Sequence, residues 1–217
     1  MSQPNMLAFS FYTALLCLTP HAWAENRDLK PFEHVNYSVP FNVEFVLSDI
    51  PFVTLEGDED TIEEITTEVK DDVLHIRKES RWFDWSDGDV LITVGYPSIA
   101  SINMAGSGDG FAEEINTDQL RLTISGSAEL ELDQLVCNDL IIVISGSGGI
   151  KLNDLDADTM NTRITGSGDV EASGRVVSQD IAITGSGNVQ ATDLRAQEVE
   201  VTIRGSGDAK VWACLLY

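Results

Sequence analysis

The fold is decided by residues 126–148, which read GSAELELDQLVCNDLIIVISGSG and contain one full unit and the start of the next. Each unit opens with a Gly-Ser-Gly or Gly-Ser-Ala triplet, and these triplets begin at Gly106, Gly126, Gly146, Gly166, Gly185 and Gly205. The spacings between them are 20, 20, 20, 19 and 20 residues. A period near 20 without a long helical pattern is typical of a solenoid, whose coils bury their apolar faces against neighbouring coils.

Apolar residues recur at fixed positions of each unit, counted from the first Gly of the triplet as zero. Position +4 alternates with polar neighbours and reads Leu130, Ile150, Val170, Val189 and Ala209. The same alternation continues at +6 and before the next triplet, and it predicts half-buried strands. We therefore expect each coil to be two short strands with a corner between them, turned at the triplet. In the 19-residue unit we expect the missing residue at 175–177, because a gap there returns Ile181 and Ile183 to the inward columns.

Residues 1–24 are expected to be a signal peptide. They contain no Lys, Arg, Asp or Glu, include an apolar stretch at residues 6–18, and end in Ala22-Trp23-Ala24, which fits an Ala-x-Ala cleavage site. A lipoprotein site at Cys17 is disfavoured, because Leu16 stands directly before it where a small residue would be expected. No later segment approaches the roughly 18 apolar residues that cross a bilayer, so no transmembrane segment is expected. The predicted location is the periplasm, outer-membrane surface or exterior of a Gram-negative-type bacterium.

The charge balance excludes some partners. The chain has 36 acidic and 13 basic residues and a formal net charge of −23. Nucleic acid and anionic lipid are poor partners for such a surface. The acidity is better explained by solubility and by protection against edge pairing than by a specific cation site.

Two cysteines follow the leader, Cys137 and Cys214. They lie four coils apart, roughly 19 Å at the usual strand spacing. A disulfide requires Cα atoms within roughly 7 Å. The sequence therefore predicts no intramolecular disulfide and two thiols that behave as small buried hydrophobes.

The chain before the triplets, residues 25–105, also has the pattern of strands, while residues 106–217 contain the repeated coils. Strands are expected at residues 42–47, 51–55, 73–77 and 89–94, with a turn at residues 56–60. No helix is expected. The nearest candidate, residues 61–69, has apolar residues at helical spacing but is short and rich in Thr, a poor helix former.

Several segments together resemble a known bacterial family. They are Phe32-Glu33-His34-Val35, Val39-Pro40-Phe41-Asn42-Val43, Glu56-Gly57-Asp58-Glu59, Asp72-Val73-Leu74-His75-Ile76, Pro97 and the run of triplets. Over about residues 30–212 the chain resembles the family called putative auto-transporter adhesin, head GIN domain. The resemblance implies an all-β, pectin-lyase-like superhelix (a β-helix) in which the triplets join two sheets, with adhesion as a conjectured function.

The resemblance supplies no catalytic residues, because the family has none established. Family members continue past a stretch like residues 208–213 into another strand and a further triplet, whereas this sequence stops at Tyr217. The last coil is therefore expected to be incomplete. Either a partner covers its apolar end or the reading frame is truncated or shifted.

A polysaccharide-active enzyme, a hydrolase or lyase, is the alternative function. β-Helices often cleave polysaccharides, and outward carboxylates that could form an acid–base pair are Glu113, Glu114, Glu129, Glu131, Asp154 and Asp156. Acidic residues are so common here that coincidence explains any pair. After the leader, histidines occur only at His34 and His75, outside the coils, and the basic groove of a polyanion lyase is missing. We therefore expect no catalytic residue.

Calcium is a second alternative, because Gly-Ser-Gly-Asp is similar to the repeat of calcium-binding β-rolls. Position +3 reads Asp109, Glu129, Gly149, Asp169, Asn188 and Asp208. Those rolls repeat every nine residues, and Gly149 interrupts this column, so residues that favour turns explain the pattern better. No metal or cofactor site is expected.

Outward apolar residues are the remaining candidates for function. Ile141 and Val143 point away from the core, with Arg121 and Thr123 on one neighbouring coil and Asn161 and Arg163 on the other. A second apolar group is Trp82, Phe83 and Trp85. Either the N-terminal strands cover these residues, or they form a surface for self-association or for a glycan or protein ligand. The sequence thus predicts a non-catalytic binding or structural module of the cell envelope, in surface adhesion or glycan contact.

Overall fold

The structure is a computed structural model that describes residues 23–79 and 88–213. About three quarters of the described residues are in strands. The strands are β1 Trp23–Asp28, β2 His34–Ser38, β3 Asn42–Leu47, β4 Phe52–Gly57, β5 Ile65–Lys70, β6 Val73–Lys78, β7 Val90–Tyr96, β8 Ser101–Met104, β9 Gly110–Ile124, β10 Glu129–Gly146, β11 Gly149–Gly166, β12 Asp169–Gly185, β13 Asn188–Gly205 and β14 Asp208–Ala213. A five-residue helix, α1 (Glu59–Glu63), lies between β4 and β5. Within the described ranges, no helix has the length and apolarity to cross a bilayer.

The strands from β9 to β14 are the coils predicted by the triplets. Each pairs in parallel with the next one along the chain. Equal positions lie directly above one another, as when Leu132 pairs with Leu152 and Leu152 pairs with Ala172. The apolar columns therefore form one continuous buried core through the stack. The all-β solenoid with coils of about 20 residues is confirmed.

Each coil has three faces, because its buried side chains fall into three runs. In β10 they are Leu130 and Leu132, then Leu135 and Cys137, and finally Leu140, Ile142 and Ile144. Buried residues two apart belong to one extended segment, whereas a spacing of three marks a corner. We call these runs the first, second and third face. The sequence predicted two strand segments per coil, whereas the structure has three, because the short middle run forms a face of its own.

The triplets stack on one another at the corner between the third face and the first face of the next coil. Gly166 has φ of +128°, and a Cβ there would lie 2.4 Å from the carbonyl oxygen of Gly146 in the coil below. The amide of Ser167 donates a hydrogen bond to that same oxygen over 2.9 Å. Glycine is therefore needed for both its left-handed conformation and the close approach of two backbones.

The 19-residue coil loses its residue two positions earlier than the sequence suggested. Ala172 pairs with Leu152, but the next pair is Gly174 with Leu155, so only Ser173 stands opposite two residues of β11. Gly174 has φ of +119°, which lets the chain turn this corner with one residue fewer. The expected consequence holds, because Ile181 and Ile183 are buried.

The N-terminal strands continue the same stack. On the first face β3 pairs in parallel with β9 and β7 with β3, followed by the antiparallel strands β4 and β1. On the third face β8 pairs in parallel with β9, β2 with β8 and β6 with β2, before the antiparallel β5. A Cβ on Gly106 would lie 2.5 Å from the carbonyl oxygen of Val39. The turn between β2 and β3 therefore stands where a triplet stands in later coils.

The expectation of no helix is wrong at Glu59–Glu63. Asp58 caps α1 by accepting hydrogen bonds from the amide of Thr61 at 3.0 Å and from its hydroxyl at 2.8 Å. These contacts, above all the one from the hydroxyl, hold the pKa of the Asp58 carboxyl below its usual value. A cap residue followed by Glu59 and Asp60 is a helix-start signal in the sequence. The candidate stretch 61–69 divides between this helix and β5.

Some expectations fall outside the described residues. The leader through residue 22, the group Trp82, Phe83 and Trp85, and Cys214 all lie there. The predicted cleavage position after Ala24 falls within β1, where Ala24 pairs with Glu56 of β4. Cys137 is buried, as expected, and is a free thiol.

Candidate binding surfaces

A groove runs along the first face, across the coils. It has a volume of about 520 Å³ and spans β10 to β14. Its walls are two columns of side chains, at position +3 and position +5, and its floor is the buried +4 column. The +3 column reads Glu129, Gly149, Asp169, Asn188 and Asp208, and the +5 column reads Glu131, Lys151, Glu171, Gln190 and Lys210. We call this surface the ladder groove.

The +3 column is a ladder of side chain–backbone hydrogen bonds. Oδ1 of Asp109 accepts from the amide of Glu129 at 2.9 Å, and Oδ1 of Asp169 accepts from the amide of Asn188 at 3.1 Å. Asn188 in turn accepts from the amide of Asp208. Within residues 23–79 and 88–213, no three His, Cys, Asp or Glu side chains are grouped so that they could hold a metal ion. The column thus has a structural explanation, since its acceptors bind the amides of the following coil.

Gly149 opens the ladder groove in the middle. A Cβ placed on it would have ordinary contacts, the nearest being the carbonyl oxygen of Asp169 at 3.6 Å. Its φ lies outside the left-handed region, unlike that of Gly166. Neither conformation nor crowding therefore requires glycine at this position. The missing side chain leaves a gap in the +3 wall between Glu129 and Asp169.

The +5 wall mixes charges and amides. Nζ of Lys151 lies 2.6 Å from Oε1 of Glu131, which also accepts from Asn153 at 2.8 Å. The hydrogen bond from Lys151, followed by that from Asn153, holds the pKa of the Glu131 carboxyl below its usual value. The same pair raises the pKa of Lys151. Donors and acceptors therefore alternate along a groove that is open to solvent.

The carboxylates proposed for an acid–base pair are spread over different columns. Glu129 and Glu131 are in the ladder groove, whereas Glu114 and Asp154 line the corner between the first and second faces, each in register with Gln134. Glu113 is exposed beside this corner. Asp156 lies on the second face, where Arg175 binds it through two nitrogens and lowers the pKa of its carboxyl.

The third face has a second surface, centred on the outward apolar residues. Ile141 pairs with Arg121 on one side and Asn161 on the other, while Val143 pairs with Thr123 and Arg163. We call these six residues the arginine patch. All of them except Thr123 line a depression of about 250 Å³, together with Asp180 and Ala182 of the next coil. The described N-terminal strands extend this face rather than covering it, and Ile141 and Val143 are half-buried among their described neighbours.

The two histidines lie on this same third face, which the sequence did not indicate. Nδ1 of His34 is 2.8 Å from the hydroxyl of Ser101, and Ser101 is in register with Arg121. His75 contacts Asn36, which accepts from Asn103 at 3.1 Å. The sequence did contain a partial signal, because His34 and His75 alternate with buried apolar residues and so lie on the outward side of β2 and β6. Only the pairing of β2 with β6 and β8 aligns these outward sides with the coils.

Comparisons with known proteins agree with this architecture. A model of the family described as "Putative auto-transporter adhesin, head GIN domain" matches residues 31–214. No curated protein is significantly similar to the chain.

Solved structures share the fold. One is described as a putative adhesin from Parabacteroides merdae, with a TM-score of 0.82 and 19% identity over 88% of this chain and 80% of that one. Another is a putative lipid binding protein from Parabacteroides distasonis, with a TM-score of 0.76 and 19% identity over 88% and 97%. A third is a putative adhesin from Bacteroides fragilis, with a TM-score of 0.66 and 17% identity over 89% and 98%.

Proposed function

The chain belongs to the family of putative auto-transporter adhesins with a head GIN domain, and from this we propose that it is a non-catalytic binding module exported to the cell envelope. Its ligand is an extended, uncharged glycan that lies in the ladder groove across successive coils. The proposal is carried by one observation, the gap that Gly149 leaves in a wall otherwise made of hydrogen-bonding side chains.

The chemistry of the groove suits sugar hydroxyl groups. Hydroxyls both donate and accept, and the walls offer carboxylates as acceptors, lysines as donors and amides as both. Five coils spaced by about 4.8 Å give a groove of about 19 Å, long enough for several sugar units. The net charge of −23 disfavours a polyanionic chain and so favours an uncharged one.

The polysaccharide-active enzyme is less well supported. A glycosidase needs one carboxyl with a raised pKa to act as a general acid. In the ladder groove the Glu131 carboxyl has a lowered pKa because it is bound to Lys151 and Asn153. On the second face, Arg175 has the same effect on Asp156. These carboxylates are held ionised, which suits binding.

The test uses the purified full chain on a printed array of linear neutral hexasaccharides. Binding to at least one of them is expected, and Gly149→Leu should abolish it by filling the gap. Gly149→Ala is the matched control and should retain most of the binding, since it adds only a Cβ. Absence of binding to all members, or binding that survives Gly149→Leu, would overturn the proposal. Release of shortened oligosaccharides in solution would instead support the enzyme.

A further inference from the structure

We propose that the arginine patch on the third face binds a carboxylated sugar, a monosaccharide unit that carries a carboxylate beside its hydroxyl groups. This site is on a different face of the coil from the ladder groove. The inference rests on the proposed glycan-binding function and adds to it a second site with a stated class of ligand.

The first argument is the charge of the patch. Arg121 and Arg163 make no ion pair or side-chain hydrogen bond with any described residue, and both are exposed. The other four members, Thr123, Ile141, Val143 and Asn161, carry no charge. In a chain with a net charge of −23, this area offers two free guanidinium groups without a carboxylate among them. At physiological salt, charges farther than about 8 Å are largely screened, so the local field is set by these two arginines together with the nearest carboxylates, Asp180 in the depression and Asp139 two residues before Ile141.

The second argument is the placement of the two arginines. Arg121 lies one coil below Ile141, and Arg163 lies one coil above Val143, so they flank the apolar pair diagonally. Two strand spacings and two residue rises separate their Cα atoms by about 12 Å. Long arginine side chains can span that distance to meet over the apolar pair. Guanidinium groups bind carboxylates with paired hydrogen bonds, which gives such a site both strength and orientation.

The third argument is the shape and polarity of the depression. Its volume of about 250 Å³ suits one sugar ring and is too small for an acyl chain. Ile141 and Val143 form an apolar floor for the C–H face of a ring. Asn161 stands beside that floor as a donor, and Asp180 is an acceptor for a hydroxyl group.

The surroundings select against a polyanion. Beyond Asn161 in the same column come Asp180 on the next coil and Glu200 on the coil after it. A polymer with a carboxylate on every unit would place further charges against these two. A single acidic sugar at the end of a glycan, or within an otherwise neutral one, can direct its one carboxylate to the two arginines and a hydroxyl group to Asp180. The patch thus fits an isolated carboxylated unit.

The experiment is an NMR titration of the ¹⁵N-labelled full chain with D-glucuronate, with D-glucose and acetate as comparisons. Saturable changes in amide shifts are expected for glucuronate at residues 121–123, 141–143 and 161–163. Glucose lacks the carboxylate and acetate lacks the ring, so each should bind at least about tenfold more weakly. Arg121→Gln and Arg163→Gln should each raise the Kd for glucuronate by about tenfold, because a charged hydrogen bond is lost.

Two control variants separate this site from the ladder groove. Arg204→Gln removes an exposed arginine outside the patch and should leave the Kd unchanged. Gly149→Leu should also leave it unchanged, whereas a rise would place glucuronate in the groove and overturn the proposal. No shift changes at the patch, equal binding of acetate, or a Kd insensitive to both arginine variants would overturn it as well. If the protein binds glucuronate but no hexasaccharide, the proposal for the ladder groove fails and the proposal for the arginine patch stands.

Discussion

The backbone amide of Asn188 donates a hydrogen bond to Oδ1 of Asp169, 3.1 Å away on the coil below. The side-chain amide of Asn188 reaches the same oxygen at 2.9 Å, and its own Oδ1 accepts from the amide of Asp208. Asp109, Asp169 and Asn188 at position +3 thus each connect their coil to the next. Gly149 has no side chain to accept such a hydrogen bond, so the ladder is interrupted there. The interruption lowers the stability locally, at the place where the groove opens.

Restoring the ladder at Gly149 is expected to stabilise the protein. Gly149→Asn places an acceptor next to the amide of Asp169 and reduces the conformational freedom of the unfolded chain. Together these effects should add about 1 kcal/mol to the free energy of unfolding, measured by urea denaturation. Hexasaccharide binding should fall, because the new side chain occupies the gap. A variant less stable than the starting protein would show that the introduced asparagine does not join the ladder.

Gly166 and Gly149 should respond in opposite ways to the same substitution. Gly166→Ala puts a Cβ 2.4 Å from the carbonyl oxygen of Gly146 and forces alanine to adopt φ of +128°. A loss of about 3 kcal/mol is expected. Gly149→Ala meets no such contact and should change stability by less than about 1 kcal/mol, in the stabilising direction. Equal effects in urea denaturation would contradict the stacking explanation of the triplet.

Thr162 is a polar residue in an apolar inward column. It is 3% exposed, and its hydroxyl oxygen has no hydrogen-bond partner among the described residues. Its column neighbours on adjacent coils are Ile142 and Ile181. Thr162→Val removes the cost of burying an unpaired hydroxyl at nearly constant shape and should raise the free energy of unfolding by about 1 to 2 kcal/mol. Thr162→Ala, which leaves a cavity, should not show this gain.

Cys137 should react slowly with thiol reagents while the protein is folded. Burial, followed by the charges of Asp139, Asp156 and Asp158, raises the pKa of this thiol to about 11. At pH 8 only about one molecule in a thousand then carries a thiolate, the reactive form. The measurement is alkylation by iodoacetamide in a Cys17→Ser, Cys214→Ser variant, before and after unfolding in urea. A native rate equal to the unfolded rate would refute the prediction.

Alkaline pH should destabilise the protein in a window set by buried tyrosines. Burial, with a smaller contribution from Glu114, raises the pKa of Tyr96 to about 12, and burial also raises the pKa of Tyr37. The folded state thus holds these protons more tightly than the unfolded state. The stabilisation is complete below the unfolded pKa of about 10 and is lost as pH rises towards 12.

Tyr96→Phe separates this effect from general alkaline denaturation. The variant loses the hydrogen bond from the Tyr96 hydroxyl to the carbonyl oxygen of Glu114, 2.9 Å long, so it should be less stable at pH 7. Between pH 10 and pH 12, its stability should fall less steeply than that of the starting protein. Equal slopes would exclude Tyr96 as the titrating group.

Much of the fold could be predicted from the sequence, because a repeat states the same local preference many times. The inward columns follow from alternation, and Leu130, Ile150 and Val170 are all buried as their position predicts. The short second face, formed by Leu135 and Cys137, was harder to see, because a run of two buried residues is too short for a periodic signal. The helix after Asp58 was missed although its cap is visible in the sequence.

The candidate sites were only partly predictable. The residues of the arginine patch could be grouped, because they sit at equal positions of adjacent units. The role of Gly149 could not be predicted, since a glycine required by crowding and one that leaves space look alike in a sequence. In the structure, Gly166 and Gly149 differ in φ and in how closely the backbone of the neighbouring coil approaches them.

The sequence by itself determined the period, the coiled architecture and the residues that face the core, because each depends on contacts between equivalent positions of repeated units. Tertiary structure alone decided where the shortened coil loses its residue, that β2, β6 and β8 place His34 and His75 on the face of the arginine patch, and which surfaces stay open. The positions of the histidines depend on the pairing of strands that are distant in sequence and share no repeat. The place of the lost residue depends on which corner of the coil can be turned with one residue fewer, which Gly174 allows through its positive φ.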